Sequence, residues 1–494
     1  MLTVQEIKKF IDADTASAKK KNAKIGDEYY NAEHDIKNYR VFYVDANGEL
    51  KEDETKSNIK ICHPFFTENV DQTVQYLLSG EDKYIRSDTP ELQTKLDEYF
   101  NENEDFMAEF YDVLTGCVSK GFENMYAYKD ENERTAFACA DSLGVVEVKE
   151  KDTEDHCEYV IRHFADGFNK DNKIIRRIEV WDAAQTYYYC QEGNGDIVLD
   201  TSVTHNPRPH TIYKKDGDEN TYFEGYGFIP FFRLDNNKKQ VSGLKPIKDL
   251  IDDYDLMACG LSNNIQDTNE ALYVVKGFEG DNLDELHMNL RVKKHVGVGE
   301  DGDVDIKTID IPVEARETKM RLDKENIYHF GMAVDTAGLK DSGATVSVAV
   351  KSAYANLGMK CYRLKIRVKQ FLRKLLKVVL AEINEVEGTD YQQKDVYFVF
   401  NPEIPTNALE NAQIELTDAQ RKQVEINTLL NLAARLDNET LMQLICEQLD
   451  IDYDEIKDKL PNPEANDPYQ AKTALDGVVP EDDPVEPGGG GIVE

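Results

Sequence analysis

The pattern of apolar and polar positions divides the 494-residue chain into stretches of helical and strand-like character. Residues 1–25 read as a short polar helix, free to move or to lie on a neighbour, with no chemistry of its own. Over 58–80 the pattern predicts an extended lead-in and then a helix closed by Gly80, where a left-handed residue is easiest to place. A second helix opens at Pro90 and carries Leu92, Leu96, Tyr99, Phe106, Phe110 and Leu114 on one face. From Glu123 to Phe232 the apolar runs shorten to strand length, rich in Tyr, Val, Ile and Phe and parted by polar turns at 130–133 and 192–196. The fold class is therefore α+β.

The stretch 242–275 is the first long helix, with Leu244, Ile247, Leu250, Ile251, Tyr254, Met257, Leu261 and Ile265 at helical spacing, Ser242 as its cap and Pro246 in its first turn. Of Asp252, Asp253 and Asp255, only Asp252 and Asp255 share a face, and a solvated or channel-facing acidic stripe is preferred to a metal site. Residues 272–312 break into three strand-like pieces. In the helix that follows, 313–333, the apolar positions Val313, Met320 and Ile327 fall seven apart, a seam too narrow to bury it within its own domain, so it is expected at a subunit interface. A Gly-containing break, 334–345, leads to a third helix, 346–386, about 60 Å long at roughly 1.5 Å per residue, with a kink expected at Gly358. Between Ser342 and Ala381 there is no acid, while Lys351, Lys360, Arg363, Lys365, Arg367, Lys369, Arg373, Lys374 and Lys377 accumulate. Such a basic helix contacts DNA phosphates or an acidic neighbouring subunit, or is simply solvated with its stems covering apolar neighbours. A strand at 396–400 and two or three helices to Leu460 precede 461–494, whose composition reads as a disordered acidic tail.

Charge changes this picture. Lys and Arg number 58 against 95 Asp and Glu, a formal charge of -37, which would repel free nucleic acid and disfavours a DNA-gripping enzyme. The eight cysteines stand singly and read as reduced thiols. The N-terminus lacks the apolar core of a signal peptide, and no run approaches a membrane span. His205 and His210 in HNPRPH lack further ligands at metal spacing and are assigned to a solvent loop. Asp301, Asp303 and Asp305 begin like a calcium loop, but Ile306 stands where the loop needs glycine. There is no phosphate-binding loop, nucleophile elbow, HExxH or zinc cluster, so no catalytic residue, metal or cofactor is expected.

The order of elements, with several short phrases, resembles the portal proteins of tailed phages, particularly the siphophage type infecting Gram-positive bacteria. The phrases include Tyr29-Tyr30 with His34-Asp35-Ile36, Ile229-Pro230-Phe231 with Asn236-Asn237, Ser242-Gly243-Leu244, Lys248 through Asp255, Leu272 through Lys276, Asn289-Leu290-Arg291, Ile311-Pro312-Val313 and Ala333-Val334-Asp335. The resemblance covers roughly 25–460; around Leu339, Lys340 and Asp341 the break is less glycine-rich than in many relatives.

The resemblance implies a ring, dodecameric in virions, whose subunit has a wing (26–241 and 346–400), a two-helix stem (242–270 and 313–333), a small β-rich clip (271–312) and a helical crown (401–460), between the polar segment 1–25 and the tail. The 334–345 segment would be a tunnel loop, with Gly338, Leu339, Lys340, Asp341, Ser342 and Gly343 facing double-stranded DNA in the channel. The clip, with Arg291, Lys293, Lys294 and His295, would dock the terminase large subunit and later a head-completion or adaptor protein. Lys360, Arg363, Lys365, Arg367, Lys369, Arg373 and Lys374 would serve subunit or DNA contact. Capsid and scaffolding proteins would be further partners, with no membrane, first in the host cytoplasm and then at a capsid vertex. The alternatives are another capsid-assembly or head-completion protein, and a metal-dependent hydrolase using Asp252, Asp255 and histidines.

Overall fold

The first helix starts on a reciprocal cap: the Thr3 hydroxyl accepts the Glu6 N–H at 3.3 Å and the Glu6 carboxylate accepts the Thr3 N–H at 2.8 Å. The computed structural model describes residues 1–45, 47–54, 56–80, 83–131, 133–149, 157–214, 221–267, 272–278, 286, 298–307, 312–336, 347–402, 408–431 and 438–449. Helices α1 (Val4–Ala16) and α2 (Ala18–Tyr30) replace the single polar helix expected over 1–25, and α2 runs through that boundary. Neither is loose. Ile7 is fully buried beside Val146, Val148 and Ile161, worth about 1.5–3 kcal/mol for such a side chain. The buried Lys20 ammonium donates to the carbonyls of Ser142 and Val145 and pairs with Asp14 at 3.0 Å.

An exposed hairpin, β1 (Phe42–Val44) and β2 (Leu50–Glu52), leads to α3 (Phe65–Leu78). Gly80 follows α3 but is not left-handed; a Cβ there would run into the Asn401 carbonyl, so close approach explains the residue. After β3 (Ile85–Arg86), the helix expected from Pro90 is two: α4 (Pro90–Leu96) and α5 (Glu104–Lys120), parted by a π turn over Asp97–Asn101. The Asn103 side chain accepts the Phe106 N–H at 3.0 Å and so starts a new helix instead of continuing the old one.

The strands are β4 (Phe122–Lys129), β5 (Thr135–Ala140), β6 (Val145–Val148), β7 (Tyr159–Phe168), β8 (Ile174–Trp181), β9 (Gln185–Glu192), β10 (Val198–Leu199), β11 (Arg208–Pro209), β12 (Thr211–Lys214), β13 (Thr221–Glu224) and β14 (Phe231–Asp235). They form an antiparallel sheet of order β14-β4-β5, a larger one of order β10-β9-β8-β7-β6 with β11 beside β9, and the pair β12-β13. Helix α6 (Lys248–Asp267) comes next, then β15 (Leu272–Phe278) paired antiparallel with β16 (Val298–Lys307), α7 (Val313–Gly331) and α8 (Ser347–Glu387). Helix α6 starts at Lys248 and not at Ser242, so Ser242 does not cap it and Pro246 lies before it; residues 272–275 are strand, so it also ends before them, and β16 runs through Gly302 without a break. Gly358 does not interrupt α8. Strand β17 (Tyr397–Phe398) pairs with β3.

The main core joins α3, α5 and α8 to the three-stranded sheet, through Phe66, Val74, Phe110, Leu114, Met125, Val368, Phe371 and Leu375. All of this belongs to one compact unit, residues 1–405; a second, 406–494, holds α9 (Ala408–Asn431) and α10 (Asn438–Leu449). The mixed architecture is α+β. No helix among the described residues is long and apolar enough to cross a membrane.

Gly26 is where α2 meets α5, since a Cβ there would overlap the Ser119 carbonyl. Gly26→Ala is expected to lower stability by about 1–3 kcal/mol, read as a lower urea midpoint at unchanged slope.

Candidate functional site

The extended segment 57–63 lies along α6 as a strap. The Ser57 N–H donates to Asp267 Oδ1 at 3.2 Å, Ile59 N–H to Asn263 Oδ1 at 2.7 Å, Ile61 N–H to Cys259 Sγ at 3.2 Å and His63 N–H to Asp255 Oδ1 at 3.1 Å. Every second strap residue therefore meets every fourth helix residue, in opposite directions. Two extended residues advance roughly 6.6 Å. Four helical residues advance about 6.0 Å, so the two periods stay in register over four rungs. The helix contributes short polar side chains here because only these place an acceptor against a neighbouring backbone.

Asp255 is the hub. It is fully buried, accepting from His34 Nδ1 at 2.6 Å and His63 Nδ1 at 2.7 Å as well as the His63 N–H. Burial alone would raise its carboxyl, but the hydrogen bonds from His34 and His63 outweigh it and hold the group below its ordinary 3.8. The Tyr29 ring stacks on His34 at 4.5 Å, and His63 meets Tyr254 edge-on at 4.8 Å. A solvated or channel-facing acidic stripe was expected here. The structure corrects this for Asp255, whose partners lie 221 and 192 residues away in the chain. Asp252 accepts from Tyr29 Oη and from Lys248 at 2.7 Å, while Asp253 pairs with Lys319 of α7.

Helix α7 is also better buried than its sequence implied. Ile327, Tyr328, Asp323 and Gly331 are buried, and Tyr328 Oη donates to Glu68 of α3 at 2.6 Å. Of the seven-residue seam only Ile327 is buried, while Val313 is exposed; Tyr328 with Glu68 of α3 and Lys319 with Asp253 of α6 add polar contacts to the packed face. The third helix, α8, carries two stripes. Leu357, Cys361, Leu364, Val368, Phe371 and Leu375 are buried. Ser352, Ala355, Met359, Tyr362, Ile366, Gln370, Arg373 and Lys377 are exposed at spacings of three or four, with Met359 at 53%, Tyr362 at 64% and Ile366 at 48%.

The basic residues of α8 divide between these surroundings. Lys360 donates to Asn69 Oδ1 at 2.5 Å and to the Gly331 carbonyl at 3.1 Å, and Lys365 to the Phe400 carbonyl at 2.5 Å. Those two serve contacts within the subunit. Arg363, Arg373 and Lys374 are exposed, and Arg367 and Lys369 partly so. Burial lowers the Lys360 ammonium to about 8. Gly338, Leu339, Lys340, Asp341, Ser342 and Gly343, and Arg291, Lys293, Lys294 and His295, lie outside the described residues. His205 is exposed, but His210 is not a loop histidine in solvent: its half-buried ring stacks with Trp181 at 5.5 Å and Tyr226 at 5.7 Å.

Asp255→Asn is expected to cost about 3–5 kcal/mol, because two imidazoles lose their buried anion. Asn263→Ala removes one neutral rung and should cost about 1 kcal/mol, with faster amide exchange at Ile59. Urea denaturation of both variants checks the ratio. Lys360 is deprotonated more easily in the folded chain than at its ordinary 10.5. The folded state thus holds fewer protons between pH 8 and 10.5, and stability rises with pH across that window. In Lys360→Met that part of the rise should disappear, measured as the difference between the two pH–stability curves.

The family described as phage portal protein, SPP1 Gp6-like, matches residues 8–455. The portal protein of Bacillus phage SPP1 is 30% identical over 354 residues, covering 70% of this chain and 67% of that protein. The portal protein of Clostridium phage phiCD119 is 27% identical over 194 residues, covering 38% of this chain and 42% of its own. The chain belongs to the phage portal protein family of the SPP1 Gp6-like type.

Proposed function

We propose that copies of this chain assemble into a ring of about twelve around an axial channel at a capsid vertex, and that double-stranded DNA passes through it during packaging and ejection. Within the family reading, the sheets and α8 form the wing, α6 and α7 the stem, β15 and β16 belong to the clip, and α9 and α10 to the crown. The clip docks the terminase large subunit and then the head-completion adaptor, while capsid and scaffolding proteins surround the ring. The role is structural, not catalytic. The observation that carries assembly is the exposed stripe on α8: its spacing suits packing against another helix, apolar toward the N-terminal half and cationic beyond, opposite a chain whose net charge is -37. That favours an acidic neighbouring subunit over DNA as the partner of Arg363, Arg373 and Lys374.

Light scattering with negative-stain microscopy tests this. Rings with a central hole are expected, and Tyr362→Glu combined with Ile366→Glu should shift the mass toward monomer while the circular dichroism spectrum stays unchanged. Rings that persist in the double variant would remove α8 from the interface. For the segment 334–345, deletion of residues 338–343 is expected to give assembled but empty or leaky heads; full, stable heads would sink the tunnel-loop role.

A further inference from the structure

The Asp255 hub holds more than a hydrogen-bond network needs. A ring nitrogen of His34, the Cys62 thiol and an Asp255 carboxylate oxygen all lie within 4.8 Å of one another. The buried His34 turns its Nδ1 toward Asp255 Oδ2 at 2.6 Å, so Nδ1 is the nitrogen that faces the cluster. We propose that His34, Cys62 and Asp255 bind one zinc ion that fastens the strap to α6.

The chemistry of the donors favours zinc. Imidazole, thiolate and carboxylate together suit a borderline-soft divalent ion, whereas calcium and magnesium take oxygen donors alone. Charge also balances, because one thiolate and one carboxylate neutralise a divalent cation, which a buried site requires. Binding releases the Cys62 thiol proton to solvent. His63, on the other Asp255 oxygen at 2.7 Å, orients the carboxylate, and its partial exposure together with that of Cys62 leaves a path for the ion. Asp252 takes no part, being held by Tyr29 and Lys248. Three protein donors leave the fourth position of a tetrahedral ion to a water, and the ion adds a link between strap and helix at the rung where the polar ladder ends.

The test uses the full-length protein, stripped with chelator and titrated with cobalt(II) as the spectroscopic probe, then with zinc in competition. Expected are one equivalent of cobalt with visible d–d absorption and a near-ultraviolet thiolate-to-cobalt band, both displaced by zinc. Cys62→Ser, a substitution at a half-exposed position, should abolish the thiolate band and weaken binding by roughly a hundredfold. Cys190→Ser on β9 should leave both unchanged. Absence of cobalt absorption at saturating metal overturns the proposal. So does an unaltered thiolate band in Cys62→Ser, which would place the metal on another cysteine. Circular dichroism of each variant excludes misfolding as the cause of a lost signal.

Discussion

A single buried carboxylate sets the geometry of this molecule. Asp255 has no solvent to stabilise its charge, so the fold must bring donors to it, and it brings three from two separate segments. Satisfying that demand fixes where His34 lies, and with it the end of α2, because Tyr29 stacks on the same imidazole. It also fixes the phase of the strap on α6. A slip of one residue would turn His63 away and replace each backbone donor by a carbonyl, so the hub specifies register as well as affinity.

From the hub the constraint spreads by close packing. Helix α2 passes Gly26 against α5, and α5 carries the three-stranded sheet through β4. On the other side Phe65 meets Tyr254 edge-on at 4.9 Å and Tyr328 at 6.0 Å, which ties α3, α6 and α7 into one aromatic seam. Lys319 bridges Asp253 and Asp323 between α6 and α7. Helices α6 and α7 are therefore held to each other and to α3 by these partners, while Val313, at the start of α7, is exposed.

Charge is sorted rather than spread. The -37 balance gives the chain an acidic surface, yet α8 concentrates cations. Two of them, Lys360 and Lys365, turn inward to cap carbonyls that the α3–α7–α8 junction and the Phe400 region leave open. Arg373 and Lys377 lie on the exposed stripe, with Arg363 and Lys374 exposed beside it. Helix α8 thus has one apolar seam facing its own core and a second, exposed seam that runs from apolar to cationic.

How much of this was legible in the sequence depends on the range of the interaction. Period and caps are local, so the sequence by itself determined the α+β class, the long helices, the Pro90 helix start, the strand pieces over 123–232 and the extended lead-in before α3. Shared phrases in shared order also determined the family. The rest was decided by contacts across hundreds of residues. Asp255 looks like its neighbours Asp252 and Asp253 along the chain, and only the arrival of His34 and His63 separates a buried hub from a surface acid. The ladder of Asp255, Cys259, Asn263 and Asp267 has a visible four-residue spacing, but that spacing acquires meaning only when an extended segment lies beside it. The same holds for α7, whose thin apolar seam gave no sign of its polar partners on α3 and α6. Hydrophobic period reports which face a helix buries, whereas the partners of buried charges are set by tertiary structure, because their free energy depends on who arrives and not on what precedes them in the chain.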